Sequence, residues 1–320
     1  MDVKEYVYST FDGGIPLLAD VYYKPVNEDA KKARPIVLLI YGGAFVAGTK
    51  ATVSKARLDS LIHEFGFTVV VPDYRHSPCI SVYDGPVTDM HSAYSWASRE
   101  LPELLLRDAG VLVDGNRVAV IGSSAGGNLA LHLGVTHLKG SATPSPKAIV
   151  SYFPAIYLKD PFWHSQMEVM AQIPRFPDAF VNKIYNEGVI TSAPPSFKKV
   201  PDSPKPVPDF SKPRTAWLLS NLRDGTLIRN VVQDDNYDRV DPVGLFSSKF
   251  PPTCFIHGTE DKMALPRFSS QACQTLRSFG VDAKLIVANG YGHDFETGMP
   301  ADHPDFSIIR ESHRFAAERV

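Results

Sequence analysis

The stretch IGSSAGG at positions 121–127 holds two adjacent serines between small residues, and which of them is usable decides how the chain reads. In a Gly-x-Ser-x-Gly pattern the nucleophilic serine sits on a sharp turn between a strand and a helix. Residues two positions to either side must then be small, because its strained backbone leaves no room. Gly122 and Gly126 bracket Ser124 in this way, whereas Ser123 would need a small residue where Ile121 stands. Ser124 is the candidate. RVAVIG before it reads as a buried strand, and AGGNLALHLGV after it suits a helix whose N-terminus offers free N–H groups. Taken alone, the motif fits equally a serine- and glycine-rich helix cap. The Gly-Lys-Ser/Thr ending of a phosphate loop is missing.

Outward from this turn, strands alternate with helices. EYVYST, LLADVYY, PIVLLIY, TVVVPDY, RVAVIG, KAIVSYF, PTCFIHG and AKLIVA read as strands; helical spacing marks 58–65, 87–99, 266–279 and 306–319. This rhythm predicts a mostly parallel sheet covered on both faces. It breaks over about 157–243, where aromatic and Met residues, seven prolines between Pro194 and Pro213, and the helical-looking TAWLLSNLRDGTLIRNVV follow one another. The division expected is a core of 1–156 and 244–320 with a cap or lid inserted at 157–243. A disordered linker would be poorer in Trp, Phe and Leu.

Composition narrows the function classes. The 320 residues are 44% hydrophobic and 21% charged, with a formal net charge of -2 and no Lys/Arg-rich run, so no nucleic acid partner is expected. No apolar run is long enough for stable membrane insertion, and the N-terminus lacks a signal-peptide core. Cys79, Cys254 and Cys273 are too few and too odd for a disulfide framework, which suggests reduced thiols and a cytoplasmic location. No HExxH or clustered Cys/His spacing calls for a metal, and no cofactor is expected. A homodimer is compatible with the sequence.

Ser124 needs partners, and three segments offer them. YGGAF (41–45) follows a buried strand, and the N–H groups of Gly42 and Gly43, with that of Ala125, suit an oxyanion hole; a plain strand-to-loop turn uses two glycines as well. In FIHGTEDKMALP, Asp261 stands where a histidine-orienting acid belongs, with Glu260 as its neighbouring rival and a helix cap as its other reading. In ANGYGHDFE, His293 lies in a glycine-flanked loop after the last strand, completing the chain order Ser…Asp…His. Each segment is ambiguous singly; four loops in the right order, each after a strand, are not. Asp294 and Asn128 read as structural, and Asp73 with Arg75 as a buried turn-stabilising pair.

At this point the chain resembles an α/β-hydrolase, and more narrowly the hormone-sensitive-lipase-type esterases. The residues that carry the likeness are YGGAF for the HGGG-type loop, DYRHSP (73–78) for the DYR-x-x-P motif, GSSAGG for the elbow, and HGTED and GYGHDF for the acid and base. The insertion and tail look most like fungal members, some of which act in secondary metabolism. Tyr41 replaces the usual His and Ala44 a frequent third Gly, and the family's N-terminal cap helices are missing, which leaves the insertion as the lid. The resemblance implies an α/β-hydrolase fold with an eight-stranded sheet. The function expected is a serine esterase cleaving a small or medium hydrophobic ester or lactone through an acyl-enzyme. Trp163, Met167, Phe176 and Trp217 either line the acyl pocket or form the core of the lid. Two alternatives stay open: an acyltransferase or cyclase on the same triad, and a non-catalytic small-molecule receptor, against which the presence of His293 argues.

Overall fold

The computed structural model describes residues 1–25, 32–135, 143–199 and 206–320. Eight strands form one sheet: β1 (Asp2–Phe11), β2 (Ile15–Tyr23), β3 (Arg34–Ile40), β4 (Thr68–Pro72), β5 (Val113–Ser123), β6 (Ala148–Tyr152), β7 (Thr253–Gly258) and β8 (Ala283–Ala288). Their order is β1-β2-β4-β3-β5-β6-β7-β8. β2 runs antiparallel to both neighbours; all other pairs are parallel. The parallel centre explains the strand sequences. Ile36, Leu38 and Ile40 of β3 face one apolar layer, while Val37 and Leu39 face the other. A strand buried on both faces therefore reads as an unbroken apolar run.

One layer is closed by α2 (Thr88–Arg99), α3 (Leu101–Ala109), α4 (Ala125–His132) and a later helix, Pro266–Ser278, through Met90, Leu101, Leu129 and Phe268 among others. The other is closed by α1 (Lys55–Asp59), which continues as a wider turn over Ser60–Glu64, and by the last helix, Phe306–Ala317. The spacing at 58–65 predicted a helix starting later, and Leu101–Ala109 was not anticipated from spacing at all: its Gly110 cap, in the left-handed region at φ 67°, was the available signal.

Among the described residues between β6 and β7 are short turns, a four-residue helix at Asp178–Val181 and two longer helices, α5 (Pro213–Asp224) and α6 (Leu227–Val232), where the single helical stretch is broken by Gly225. Two contacts fasten this segment to the loop after β3. Gly48 and Ala193 exchange N–H···O=C bonds of 2.7 and 2.9 Å. The buried Arg214 donates to the carbonyls of Val46 (2.8 Å) and Ser77 (3.0 Å) and to Glu187 (2.9 Å). Much of the proline-rich run lies outside the described residues; on either side of it Phe197–Lys198 pairs with Val207–Pro208.

One local expectation needs correction. Arg75 does not pair with Asp73: its guanidinium and backbone N–H bind the buried Asp89, at 2.6 to 3.0 Å. Asp73 instead accepts the Lys50 N–H at 2.7 Å. The Asp73 carboxylate is taken up by the Lys50 backbone N–H, and Arg75 finds its partner in the buried Asp89 on α2, which accepts from both its guanidinium and its backbone N–H. Asn128 is structural as expected, donating from Nδ2 to the carbonyls of Ala155 (2.7 Å) and Val240 (3.3 Å).

Candidate active site

Parallel strands deliver their following loops to one edge of the sheet, and the site is assembled there. Ser124 follows β5 directly, with φ 56° and ψ -119°, a conformation that costs a non-glycine residue strain. Its N–H is tied to the Tyr152 carbonyl (2.9 Å) and its carbonyl accepts from Asn128 N–H (3.1 Å), so neighbours on both sides hold the turn. The need for a small residue two positions on is visible in atoms: a Cβ on Gly126 would lie 2.4 Å from the Ile40 carbonyl oxygen and 2.5 Å from that of Tyr41. Both are backbone, which cannot move aside. Gly126→Ala is expected to lower unfolding free energy by about 1–3 kcal/mol, read as a fall in the urea midpoint at unchanged slope.

Ser124 Oγ lies 3.0 Å from His293 Nε2, and His293 Nδ1 lies 2.7 Å from Asp261 Oδ2. The three expected residues are thus brought together from loops after β5, β7 and β8. Asp261 is buried and Glu260 exposed, which separates the two rivals. The other Asp261 oxygen accepts the N–H groups of Met263 (2.8 Å) and Ala264 (3.0 Å). His257, not foreseen, places Nε2 3.1 Å from Asp261 Oδ2 and 2.9 Å from the Ala264 carbonyl, while Ser269 meets its Nδ1 at 2.7 Å. Both partners of His257 Nε2 are acceptors, so that nitrogen carries the proton. It stood in the quoted HGTED, at i−4 from the acid.

Electrostatics follow from these contacts. Burial would raise the Asp261 carboxyl, but hydrogen bonds from His257, His293 and the Ala264 N–H, with the charge of His293, hold it well below the usual carboxylate range. Burial pulls the His293 imidazole down; the hydrogen bond to Asp261 and the charges of Asp294, Asp261 and Glu296 reverse this, so it sits above its ordinary value of 6.5. Asp294, expected to be structural, lies beside His293. Its carboxylate is 4.0 Å from His293 Nε2 and it borders the cavity in front of Ser124.

That cavity, about 200 Å³, is walled by Gly43, Ala44, Ala125 and His293 on the core side. Trp163, Met170, Leu218, Leu222, Leu227 and Ile228 wall it from the segment between β6 and β7. Of the four side chains singled out from the sequence, only Trp163 borders it; Trp217 is buried nearby, and Phe176 packs on Phe180 and Phe210. Met167 is buried in the core of the inserted segment. Ala125 opens α4, so its N–H has no acceptor inside the helix. Gly43 adopts φ 119°, where a Cβ would strike the Ala47 carbonyl oxygen at 1.9 Å. Gly42 lies against the elbow, its missing Cβ 3.1 Å from that of Ser124.

Tyr41 is built into the frame behind these glycines. Its ring stacks on Tyr74 with centroids 4.6 Å apart, and its hydroxyl is 3.2 Å from His76 Nε2. Burial, with the charge of Arg214, pushes the His76 imidazole down to about 3, so it meets Tyr41 as a neutral ring. Among the described residues, no group of three or more His, Cys, Asp or Glu is placed to hold a metal ion.

Comparison with known proteins agrees with this architecture. The profile of the alpha/beta hydrolase fold family matches residues 37–191. Curated relatives include the non-reducing polyketide synthases prhL of Penicillium brasilianum and ausA of Emericella nidulans. Each is 28% identical, over 96% and 98% of this chain but 13% and 14% of their own length. The chain thus spans about one seventh of these relatives. Among solved structures, Thermogutta terrifontis esterase 2 phosphoramylated by tabun aligns with a TM-score of 0.61 at 16% identity, covering 99% of this chain and 92% of that one. The propionate-bound form of the same esterase aligns at 0.59 and 18%, with 99% and 92% covered. At such identity these two speak for the fold alone. No helix among the described residues is long and apolar enough to cross a membrane. On sheet order, elbow and profile together, the chain has an alpha/beta hydrolase fold.

Proposed function

We propose that this protein is a serine hydrolase that cleaves a hydrophobic carboxylic ester through an acyl-enzyme on Ser124. The observation that carries this reading is the unbroken hydrogen-bonded path from Ser124 Oγ through His293 to the buried Asp261, opening on an apolar cavity. Ser124 Oγ attacks the ester carbonyl carbon as its proton passes to His293 Nε2, and the carbonyl electron pair moves to oxygen. Gly42, Gly43 and Ala125 N–H groups receive that oxyanion. Its collapse expels the alcohol, protonated by His293, and water then releases the acid by the same steps. Asp261 stabilises the imidazolium that forms in each half.

Substrate class follows from the walls. A cavity of about 200 Å³ lined by Leu, Ile, Met and Trp side chains suits a small or medium acyl group without charge. Residues 157–243 serve as the cap in this reading, since α5 and α6 supply much of the wall. The names of the curated relatives point to secondary metabolism and to an acyl group of polyketide type.

The test is labelling by a small fluorophosphonate, followed by intact mass. One adduct per chain is expected. Its rate should rise with pH as His293 loses its proton, with a midpoint above the ordinary imidazole value, because the raised basicity of His293 keeps it protonated further up the scale. A folded protein that takes no adduct at any pH between 5 and 9 overturns the reading.

A further inference from the structure

A second polar cluster touches the elbow through Ser123, the residue before the nucleophile. Ser123 Oγ–H donates to Glu296 Oε1 at 2.7 Å, and Arg57 Nη1 reaches Ser123 Oγ at 3.1 Å and Glu296 Oε1 at 3.3 Å. Arg57 comes from α1, Ser123 from the end of β5, and Glu296 from the loop three residues beyond His293. All three are buried, Arg57 at 6% exposure and Glu296 at 2%. The Arg57 guanidinium also lies over the Tyr152 ring, 4.7 Å from its centroid, and the Tyr152 carbonyl holds the Ser124 N–H. Each contact therefore ends on something that locates either Ser124 or His293.

Stability alone is a poor reason for this cluster. Among the described residues, the buried Arg57 Nε and Nη2 and Glu296 Oε2 meet no hydrogen-bond partner, so the ions recover only part of what they lose on leaving water. Apolar side chains of like volume would generally hold the fold as well or better. What such side chains could not supply is direction. A buried carboxylate bound to one hydroxyl and one guanidinium permits a single register between the loop and the strand end. The start of the loop is held by hydrogen bonds, Glu260 N–H to the Tyr291 carbonyl (2.9 Å) and the Tyr291 hydroxyl to Asp305 (2.6 Å), whereas Phe153, with centroids 4.5 Å from the His293 ring and 5.9 Å from Phe295, makes apolar contacts that tolerate sliding.

We propose that Glu296 is a positioning residue: clamped by Arg57 and Ser123, it holds the loop after β8 in register with the end of β5, so that His293 Nε2 meets Ser124 Oγ. Its catalytic consequence rests on the serine-hydrolase reading. Glu296 also contributes charge. With Asp261 and Asp294 it is one of three carboxylates favouring protonated His293, while His257 acts on His293 only through Asp261.

The test uses the full chain with three variants, Glu296→Gln, Ser123→Ala and the paired Arg57→Met/Glu296→Leu. Hydrolysis of p-nitrophenyl butyrate is followed against pH, and hydrogen exchange of residues 291–299 by mass spectrometry. Glu296→Gln is expected to lower kcat by about 10- to 100-fold with little change in KM. The pH midpoint should move down, since a negative charge near His293 is gone, and exchange in 291–299 should quicken. Ser123→Ala, which removes the link and neither charge, should lower kcat in the same direction without moving the midpoint. The paired apolar variant should melt at or above the wild-type temperature and remain slow. Wild-type kcat, pH midpoint and exchange in Glu296→Gln overturn the proposal, as does wild-type kcat in the paired variant. If the wild type neither hydrolyses the ester nor takes a fluorophosphonate, the hydrolase reading fails instead. Exchange in 291–299 then decides the positioning claim alone, faster in Ser123→Ala and Glu296→Gln supporting it and unchanged in both overturning it.

Discussion

Ser124→Ala is expected to lower kcat on a short acyl ester by roughly 10⁶-fold and to abolish the fluorophosphonate adduct, with the fold intact. The substitution removes only the oxygen that attacks. Alanine fits the space, and the backbone contacts that hold residue 124, its N–H to Tyr152 and its carbonyl to Asn128, are made by the main chain. The remaining rate over water comes from the N–H groups of Gly42, Gly43 and Ala125 and from binding. Steady-state kinetics with active-site titration measures the loss, and a circular dichroism spectrum matching wild type excludes misfolding. Full turnover by this variant would remove Ser124 from the mechanism.

Asp261→Asn carries the next largest effect, a fall in kcat/KM of roughly 10⁴-fold. The carboxylate divides its duties. One oxygen takes the backbone N–H groups of Met263 and Ala264, the other takes the N–H of His293 and lies 3.1 Å from His257 Nε2. Asparagine offers one oxygen and one NH₂. With the oxygen left to the backbone, the NH₂ confronts His293 Nδ1, and the ring answers by moving its proton to Nε2. That nitrogen then can no longer accept from Ser124. A comparison of kcat/KM across pH 5 to 9 shows whether more base restores activity; it should not, because the fault is the tautomer and not the charge. Stability changes in step. The folded Asp261 carboxyl is depressed, so its contribution is present above the ordinary carboxylate range and lost only as pH falls through its lower folded value. The variant should therefore be less stable than wild type at neutral pH, and the gap should close in strong acid.

The strands were legible because a strand buried on both faces has no choice but to be apolar: PIVLLIY and RVAVIG carry that constraint residue by residue. The elbow was legible because its sterics act within two positions of Ser124, where Gly126 meets the carbonyls of the neighbouring loop. Asp73 with Arg75 shows where such reading stops. Proximity in sequence suggested a pair, and burial chose Asp89, 14 residues on, as the acid within reach of the Arg75 fork. The segment between β6 and β7 was harder still. Apolar and aromatic side chains at 162–180 announced a packed segment, but not which of them would face Ser124.

Local physics, acting over a few residues, is sufficient for the alternation of strands and helices, the turn at Ser124 and the order of serine, acid and histidine along the chain. Pairings between distant residues answer to a different cause, the competition for burial and hydrogen bonds once the sheet has formed. Asp261 was preferred to Glu260 because its side chain is the one enclosed with His293. Leu218 and Ile228 reach the cavity while Phe176 does not, because Arg214 ties α5 to the loop after β3 and the Val231 carbonyl, accepting from Val82 N–H, ties down α6. Arg57 and Glu296, 239 positions apart, have no local signature whatever. Only the folded chain, by withdrawing both from water at the same point beside Ser123, makes them partners.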